Sequence, residues 1–329
     1  MSEITLLNEH DLRHSVALDD DAVACIENCF RALADGGVTM PPIMSLDIAE
    51  HNGEVDVKTA YIPGVDSFAV KMSTGFFHNR QLGLPSVNGL MVLLSAKTGL
   101  VEALLLDNGY LTDLRTAAAG AVAARWLSRE DARSVAVIGA GVQAKLQVQA
   151  LTLVRPVERA VVWARDTNKA EQCAAWLRDE LQLEASPVAE VSRAVAGVDI
   201  IVTTTPSTHP LLTAGDLAPG QHITAMGSDT EHKNEIAADV FATACYFCDR
   251  LSQVRVLGEL RHAIAAGLCR ASDNYPELGD VVAGKHPGRR SADEITLCDL
   301  TGTGAQDTAI ATLARERAQR AGLGSLFVS

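Results

Sequence analysis

The sequence predicts an α/β fold whose larger part is a doubly wound parallel sheet. From Ser134 onward, strand-like runs alternate with helical runs, which is typical of a parallel sheet covered by helices on both faces. Between Gly53 and Leu106 the chain instead has short apolar or alternating runs separated by Gly, Pro, Asn or Asp, which predicts an antiparallel sheet. A chain of 329 residues is long enough for both sheets to form packed domains.

Three predicted helices flank these sheets. Residues from Asp19 to Asp35 have apolar side chains at helical spacing, with acids at the start and Gly36 after the end. An Ala-rich helix beginning near Tyr110 joins the antiparallel region to the parallel one. The last predicted helix runs from about Gly304 to Ala321.

The composition argues against several partners. A formal net charge of −13 disfavours nucleic acid, because that binding depends on Lys and Arg neutralising phosphates. The N-terminal residues lack the features of a secretory signal, and no run approaches the roughly 18 apolar residues of a membrane helix. We therefore expect a cytoplasmic protein without a membrane partner.

The cysteines do not predict a metal site. Seven cysteines, an odd number, are scattered along the chain, so we expect them to be reduced. Cys245 and Cys248 form a CxxC motif in a strand-like run, where this spacing points the side chains to opposite faces. Buried structural cysteines explain the motif better than zinc or redox chemistry, since no second ligand pair accompanies it.

A glycine-rich fingerprint identifies the parallel sheet as a dinucleotide-binding Rossmann domain. Gly139, Gly141 and Ala144 directly follow the apolar strand Ser134 to Ile138 and open a helix. Gly139 can make the tight turn, and Gly141 lets the backbone approach a pyrophosphate bound at the helix N-terminus. The fingerprint therefore predicts a nicotinamide cofactor, with Val142 and Gln143 in the same turn.

The choice between NAD(H) and NADP(H) stays open on these residues. NAD usually requires an acid at the end of the second strand, where this chain has Ala164, followed by Arg165 and Asp166. Arg165 favours a 2′-phosphate, yet it could also stack on the adenine while Asp166 reaches the ribose. The fourth strand ends in Thr203, Thr204 and Thr205, whose hydroxyls would border the nicotinamide or its ribose.

Several further motifs, in one order over nearly the whole chain, resemble the ornithine cyclodeaminase/mu-crystallin family. They are Leu111 to Ala119, the glycine fingerprint, Ala225 to Asp229 with Lys233 to Glu235, Gly258 to Leu260, and Asp299 to Gly304. The resemblance implies a homodimer in which residues 1–116 and 310–329 form an α+β substrate-binding and dimerisation domain and residues 117–309 form the Rossmann domain. It also implies a small-molecule substrate, because these enzymes interconvert an amino acid and its imine by hydride transfer at the α-carbon.

The resemblance also implies the roles of individual residues. Arg115 and Lys71 match the family's substrate-carboxylate positions, and Asp229 matches its acid, which activates water or manages a proton. The cofactor contacts that it implies, together with those of the fingerprint, are Gly139, Gly141, Val142, Gln143, Ala164, Arg165, Asp166, Thr203, Thr204, Thr205, Met226, Gly227, Ser228, Asp229 and Gly304.

Two departures from the family pattern concern substrate choice. Met44 stands where ornithine cyclodeaminases carry a second carboxylate-binding Arg, and Lys58 stands where an uncharged Met is usual, two residues after the acid Asp56. A lysine facing the site would repel the cationic side chain of ornithine and favour an acidic substrate. The alternative is that Lys58 points to solvent from an alternating strand.

These residues favour reduction of an open-chain α-imino acid, with iminosuccinate to L-aspartate as the specific prediction. Because iminosuccinate reductases of the resembled family use NADH, the resemblance ranks NAD(H) slightly above NADP(H) despite Arg165. The first alternative is a cyclodeaminase-type lyase of the kind associated with ectoine utilisation. The second is a binding protein like mu-crystallin, which holds NADPH and a small ligand. Retention of Lys71, Arg115 and Asp229 together favours an enzyme.

Overall fold

The computed structural model describes residues 3–328, apart from the side chain of Arg80. Residues 3–115 and 303–328 form one compact unit, the first unit, and residues 116–302 form another, the second unit. The expected boundary after residue 116 lies one residue from this division. The expected return at residue 310 falls inside the last helix, Gly304–Arg320, and the structure moves it to residue 303. Residues 1, 2 and 329 of the expected first domain lie outside the described residues.

The elements follow one another along the chain in three stretches. The first contains β1 Glu3–Asn8, α1 Glu9–Ser15, α2 Asp20–Asp35, β2 Met44–Ile48, β3 Gly53–Ala60, β4 Ser67–Phe76, β5 Val87–Ser95, β6 Val101–Leu106 and α3 Tyr110–Leu127. The second contains β7 Ser134–Ile138, α4 Val142–Thr152, β8 Arg159–Trp163, α5 Thr167–Leu181, β9 Glu184–Val188, α6 Val191–Val195, β10 Ile200–Thr203, β11 His222–Ala225, β12 Cys245–Cys248, α7 Leu251–Val254, α8 Gly258–Ala265, α9 Leu278–Val282 and β13 Thr296–Asp299. The third contains α10 Gly304–Arg320 and β14 Ser325–Val328.

The first unit is built on a sheet with strand order β14-β1-β6-β5-β4-β3-β2. Its strands pair antiparallel, except that β1 and β6 are parallel. The antiparallel sheet predicted over residues 53–106 is thus present as β3 to β6, and β1, β2 and β14 extend it. Helix α10 packs on β3, β4 and α2.

Helix α2 follows its sequence pattern closely. Asp19 is the N-cap and its carboxylate accepts a hydrogen bond from the Ala22 N–H at 2.8 Å. Ile26 and Phe30 are fully buried on its apolar face. Gly36, with φ of +83°, ends the helix in a conformation that favours glycine.

The second unit contains the predicted Rossmann sheet. Its strand order is β12-β13-β11-β10-β7-β8-β9, and every pair among these strands is parallel. From β7 the chain proceeds through β8 to the edge strand β9. It then crosses to the other side of β7, where β10 and β11 follow in the opposite direction. The neighbouring ends of β7 and β10 therefore form the switch point at which open parallel sheets bind ligands.

The cysteines are all free, but the two of the CxxC motif differ in environment. Cys248 is buried, whereas Cys245 is only partly buried and its thiol donates a hydrogen bond to Glu294 at 2.8 Å. The expectation of two buried cysteines is therefore correct for Cys248 alone. Within residues 3–328, no cluster of three or more His, Cys, Asp or Glu side chains could hold a metal ion, and no helix is both long and apolar enough to cross a membrane.

Helix α10 begins with a close contact to strand β3. A Cβ atom on Gly304 would lie 2.6 Å from the carbonyl carbon of Thr59 and 2.8 Å from its nitrogen. These are backbone atoms, so the strand cannot make room by a rotamer change. Glycine is therefore needed here for packing.

Gly304→Ala should consequently lower the free energy of unfolding by about 1–3 kcal/mol, because the added methyl group forces α10 away from β3. Urea denaturation measures the change. Gly215→Ala is the matched control, since its Cβ would meet only the Thr213 hydroxyl, at 3.8 Å. Equal stability of the two variants would contradict the packing argument.

Candidate functional site

The turn between β7 and α4 has the geometry that the fingerprint predicts. Gly139 has φ of +131°, and its N–H donates to the Trp163 carbonyl at 2.8 Å. A Cβ atom at this position would collide with the Thr204 hydroxyl and lie 3.1 Å from the Thr204 carbonyl oxygen. The ends of β7 and β10 thus approach so closely that only glycine fits.

The N-terminus of α4 is open in the way a bound pyrophosphate requires. Gly141 is the N-cap, without a side-chain cap, and a Cβ atom there would meet nothing within 4 Å. Val142 is 60% exposed. The first N–H groups of a helix have no intrahelical partner and attract anions, so these residues fit a dinucleotide. Ala144 is fully buried against the strand core, and its small side chain lets the helix pack closely on the sheet.

The end of the second strand of this sheet is less specific. Ala164 packs partly against the core, and Arg165 and Asp166 are exposed. Asp166 is the N-cap of α5 and its Oδ1 accepts a hydrogen bond from the Asn168 N–H at 3.0 Å. The acid nearest the expected ribose position therefore also has a structural role.

A buried glutamate that the sequence analysis did not select organises the loops after β10 and β11. Glu235 accepts hydrogen bonds from the Thr203 hydroxyl at 2.7 Å, the Thr205 N–H at 2.6 Å and the Gly227 N–H at 2.8 Å. The Met226 N–H also donates to the Thr203 carbonyl at 3.1 Å. The predicted cofactor residues in these two loops are thus joined through one carboxylate.

Further buried acids lie behind Glu235. Glu259 accepts hydrogen bonds from the Glu235 N–H at 2.8 Å and from the Asn234 amide at 2.6 Å. Asp299 accepts from the Glu259 N–H and from the Tyr246 hydroxyl, both at 2.8 Å. Burial raises the pKa of Glu235 and the pKa of Asp299 to about 7 each, and raises the pKa of Glu259 as well.

Asp229, the expected proton-managing acid, lies in the loop after β11. Its side chain is 45% exposed and forms an ion pair with Lys233 at 2.6 Å. The neighbouring Ser228 hydroxyl donates to the Lys233 carbonyl at 2.6 Å. The Asp229 carboxylate is thus oriented by its own loop and remains accessible.

In the first unit, the two expected lysines face each other. Lys58 on β3 and Lys71 on β4 are directly opposite in the antiparallel register, so their side chains share one face of the sheet. Lys58 is 6% exposed and Lys71 only 2%. This excludes a solvent-facing Lys58, and Lys71 lies in the middle of its strand.

A third cation and a buried acid complete this cluster. Asp307 on α10 is fully buried, and its two oxygens form ion pairs with Lys71 Nζ at 3.2 Å and Arg115 Nε at 3.1 Å. Asp307 did not appear among the predicted site residues, although it lies in the first turn of the predicted last helix. We call Lys58, Lys71, Arg115 and Asp307 the cationic cluster.

Burial and charge both act on the protonation of this cluster. Burial lowers the pKa of Lys71 to about 7; Asp307 opposes this shift, whereas Arg115 and Lys58 add to it. Burial acts to raise the pKa of Asp307, but Lys71 and Arg115 outweigh it and the pKa is lowered. Asp107 beside the cluster has its pKa raised to about 6 by burial.

The remaining predicted residues of the first unit lie in different settings. Asp56 is on β3, on the same face as Lys58, and accepts a hydrogen bond from the Ser45 hydroxyl at 2.6 Å. Met44 is 61% exposed on the edge strand β2. Gly304, which had been expected near the cofactor, is part of the first unit, and its contact with Thr59 accounts for the glycine.

The pKa of Glu235 leads to a prediction about stability. Because its folded-state pKa is raised to about 7, its contribution to stability is complete below the unfolded-state pKa and is lost as pH rises through 7. Between pH 5 and pH 8, the free energy of unfolding should fall by on the order of 2 kcal/mol more in the wild type than in Glu235→Gln, which cannot ionise. Urea denaturation at both pH values tests this.

The exposed Glu190→Gln serves as the control and should follow the wild type. Glu235→Gln should also be less stable at pH 5, since the amide NH2 opposes one of the three donors. Parallel pH curves for Glu235→Gln and the wild type would show that Glu235 does not titrate in this range.

Comparison with known proteins places these features in a family. The model of the ornithine cyclodeaminase/mu-crystallin family matches residues 3–322. A Rhizobium meliloti protein named as a dehydrogenase is 61% identical over 329 residues, covering 100% of both chains. A Sinorhizobium fredii protein named as a cyclodeaminase, y4tK, is 57% identical over 331 residues, also covering 100% of both chains.

Two solved structures of enzymes with NAD are similar throughout. An archaeal alanine dehydrogenase dimer with bound NAD has a TM-score of 0.93 and 31% identity, over 99% of each chain. The iminosuccinate reductase of Paracoccus denitrificans with NAD+ has a TM-score of 0.91 and 32% identity, over 100% of each chain. The family relatives thus include both NAD-dependent oxidoreductases and cyclodeaminases.

Proposed function

We propose, from the premise that this chain belongs to the ornithine cyclodeaminase/mu-crystallin family, that it is an NAD(H)-dependent reductase of an open-chain α-imino dicarboxylate. Iminosuccinate, reduced to L-aspartate, is the leading candidate substrate. The observation that carries this proposal is the buried position of Lys58 directly opposite Lys71. Like charges facing each other across a strand pair destabilise a sheet, and a dianionic substrate would offset that repulsion.

Each cation has a part in substrate recognition. Arg115 engages Asp307 through Nε, which leaves the Nη1 and Nη2 edge of its planar guanidinium for bidentate contact with the α-carboxylate. Lys71 supplies a second contact to that carboxylate. Lys58, as its cross-strand neighbour, would receive the distal carboxylate.

The second unit would supply the redox chemistry. A bound nicotinamide cofactor supplies the hydride for the imine carbon. The Asp229 carboxylate, oriented by its ion pair with Lys233, would accept a hydrogen bond from the protonated imine nitrogen and so stabilise its proton while the imine carbon is reduced. The NAD-containing relatives support NAD(H) over NADP(H), despite Ala164 and Arg165 at the end of the second strand.

A cyclodeaminase-type lyase is the second candidate. The 57% identity to a protein named as a cyclodeaminase favours it, and Asp229 would then activate water. The cationic cluster argues against it, because a diamino acid would bring another positive charge near Lys58.

The proposal predicts NADH oxidation in a mixture of oxaloacetate and ammonia, which generates the imine. Absorbance of the reduced cofactor is followed, with the same mixture lacking ammonia as control. Ammonia release from ornithine or another diamino acid without NADH oxidation would instead support the lyase. Cofactor binding without either reaction would indicate a binding protein.

Lys58→Met should raise the KM for the imine of oxaloacetate by about 10- to 100-fold, the range of one charge-assisted hydrogen bond. The KM for the monocarboxylic imine of pyruvate should change little. Lys97→Met is the matched control, because Lys97 lies in the same unit but is 73% exposed in its pair with Asp66. Equal effects of Lys58→Met on both imines would refute the proposed role.

We also propose a homodimer. The two edge strands of the first unit's sheet expose large apolar side chains, namely Met44, Leu46, Leu326, Phe327 and Val328, each more than half exposed. Such edges are aggregation-prone unless covered, and a second copy of the chain would cover them. The archaeal relative is itself a dimer.

Light scattering after gel filtration should therefore give twice the mass of the 34.9 kDa chain. Leu46→Lys together with Phe327→Lys should shift the protein toward the monomer, because two charges would be buried without partners. Leu268→Lys, an exposed apolar position of the second unit, should leave the mass unchanged. A monomeric wild type would rule the dimer out.

A further inference from the structure

We infer that Asp307 is a positioning residue that holds Lys71 and Arg115 for carboxylate binding and controls whether Lys71 keeps its proton before the substrate arrives. The inference rests on the proposed function, because it assigns the cationic cluster to carboxylate recognition. Asp307 uses one oxygen for each cation, at 3.2 Å and 3.1 Å, and is completely buried. The Asp307 side chain thus sets the distance between the cationic groups of Lys71 and Arg115.

The surrounding structure fixes Asp307 itself. The next residue, Thr308, donates from its hydroxyl to the Ala60 carbonyl at 2.8 Å and accepts from the Ala69 N–H at 3.0 Å. It therefore ties α10 to β3 and β4, the strands that carry Lys58 and Lys71. Thr303 caps the helix through a capping box with Gln306. Asp307 also lies in the first turn of α10, where the helix dipole favours a carboxylate.

The charges around Lys71 lie on β3, on α3 and the residues just before it, and on α10. They are Lys58 on β3, Asp107 just before α3, Arg115 on α3, and Asp307 on α10. The residue opposite Lys71 on β5 is Met91, which does not titrate. Asp307 is the group that most strongly favours the charged lysine, against burial and two neighbouring cations.

This arrangement has a consequence for substrate binding. A carboxylate binds Lys71 well only when the lysine is protonated, so binding weakens as pH rises through the lysine's pKa. In Asp307→Asn the lysine loses its counter-ion but keeps a neighbour of the same size. The alkaline limb of the curve of affinity against pH should then move to lower pH. A purely structural role would instead change the affinity equally at all pH values.

The test is succinate binding by titration calorimetry, in the presence of NAD+, from pH 5.5 to pH 9, together with kcat/KM for the imine of oxaloacetate over the same range. In Asp307→Asn, both alkaline limbs should move by about one pH unit or more, which is about a tenfold loss of affinity at a given pH on the limb. The KM should carry this change and kcat should change less. The control is Asp21→Asn. It removes an 80% exposed ion-pair partner of Arg317, which lies on the same helix as Asp307, and its pH curves should follow those of the wild type.

A double variant covers the case in which Asp307→Asn does not fold. If Asp307 compensates the charge of Lys71, then Lys71→Gln with Asp307→Asn should fold where Asp307→Asn alone does not. Failure of the double variant, with Lys71→Gln alone folded, would show a structural role and overturn the inference.

The two proposals can fail separately. A wild type that binds succinate but reduces no imine, with the limb shifted in Asp307→Asn, would support the inference and refute the reductase. If the wild type reduces the imine and the alkaline limb lies at the same pH in the wild type and in Asp307→Asn, the reductase is supported and the inference is refuted. If the wild type binds neither succinate nor the imine, both are wrong.

Discussion

The ion pairs of Asp307 with Lys71 and Arg115 are the interaction on which the first unit depends. They join a helix near the end of the chain to a strand and a helix that come about two hundred residues earlier, since Arg115 and Asp307 are 192 positions apart. An unpaired buried charge would cost several kcal/mol, so none of the three side chains is tolerable alone. The fold of the unit therefore depends on the meeting of its two separate segments, and the segment that closes the fold also completes the cationic cluster.

The second unit handles buried charge differently. Three of its buried acids, Glu235, Glu259 and Asp299, accept hydrogen bonds mainly from backbone N–H groups and hydroxyls. Donors of this kind fix loop geometry without adding a positive charge, but they compensate burial incompletely, which is why the pKa of Glu235 and the pKa of Asp299 rise to about 7. The loops that would surround the nicotinamide are thus held by groups that titrate near neutrality.

Local sequence patterns predicted most of the fold. Helix α2, strands β3 to β6 and the Rossmann alternation all follow from periodicity, caps and the glycine fingerprint. The edge strands β2 and β14 were not predicted. Strand β14 (SLFV) has no apolar–polar alternation; strand β2 (MSLDI) does alternate, which is a strand signal that the sequence analysis did not use, although nearly all of its side chains are exposed. The boundary was misplaced at 310 because a helix pattern does not reveal which unit the helix packs on.

Residues of the candidate site could be predicted only where they belong to a recognisable sequence motif. Gly139 and Arg115 belong to motifs, so both could be proposed directly from the sequence. Asp307 and Glu235 were missed because a buried acid is identified by its partners, and those partners are distant in sequence. The orientation of Lys58 depended on strand register, since a shift of one residue would have turned it to the other face.

The same register bears on what separates reduction from cyclodeamination in this family. Both reactions pass through an imine at the α-carbon, so the carboxylate contacts proposed for Arg115 and Lys71 would serve either. The difference must then come from groups that meet the rest of the substrate, and in the proposed site Lys58, placed by its strand opposite Lys71, would be such a group. A cation there attracts an acidic side chain and repels an amine, and both effects are strengthened by its burial. One substitution from Met to Lys on an otherwise shared scaffold would therefore shift the substrate class while leaving the hydride chemistry in place.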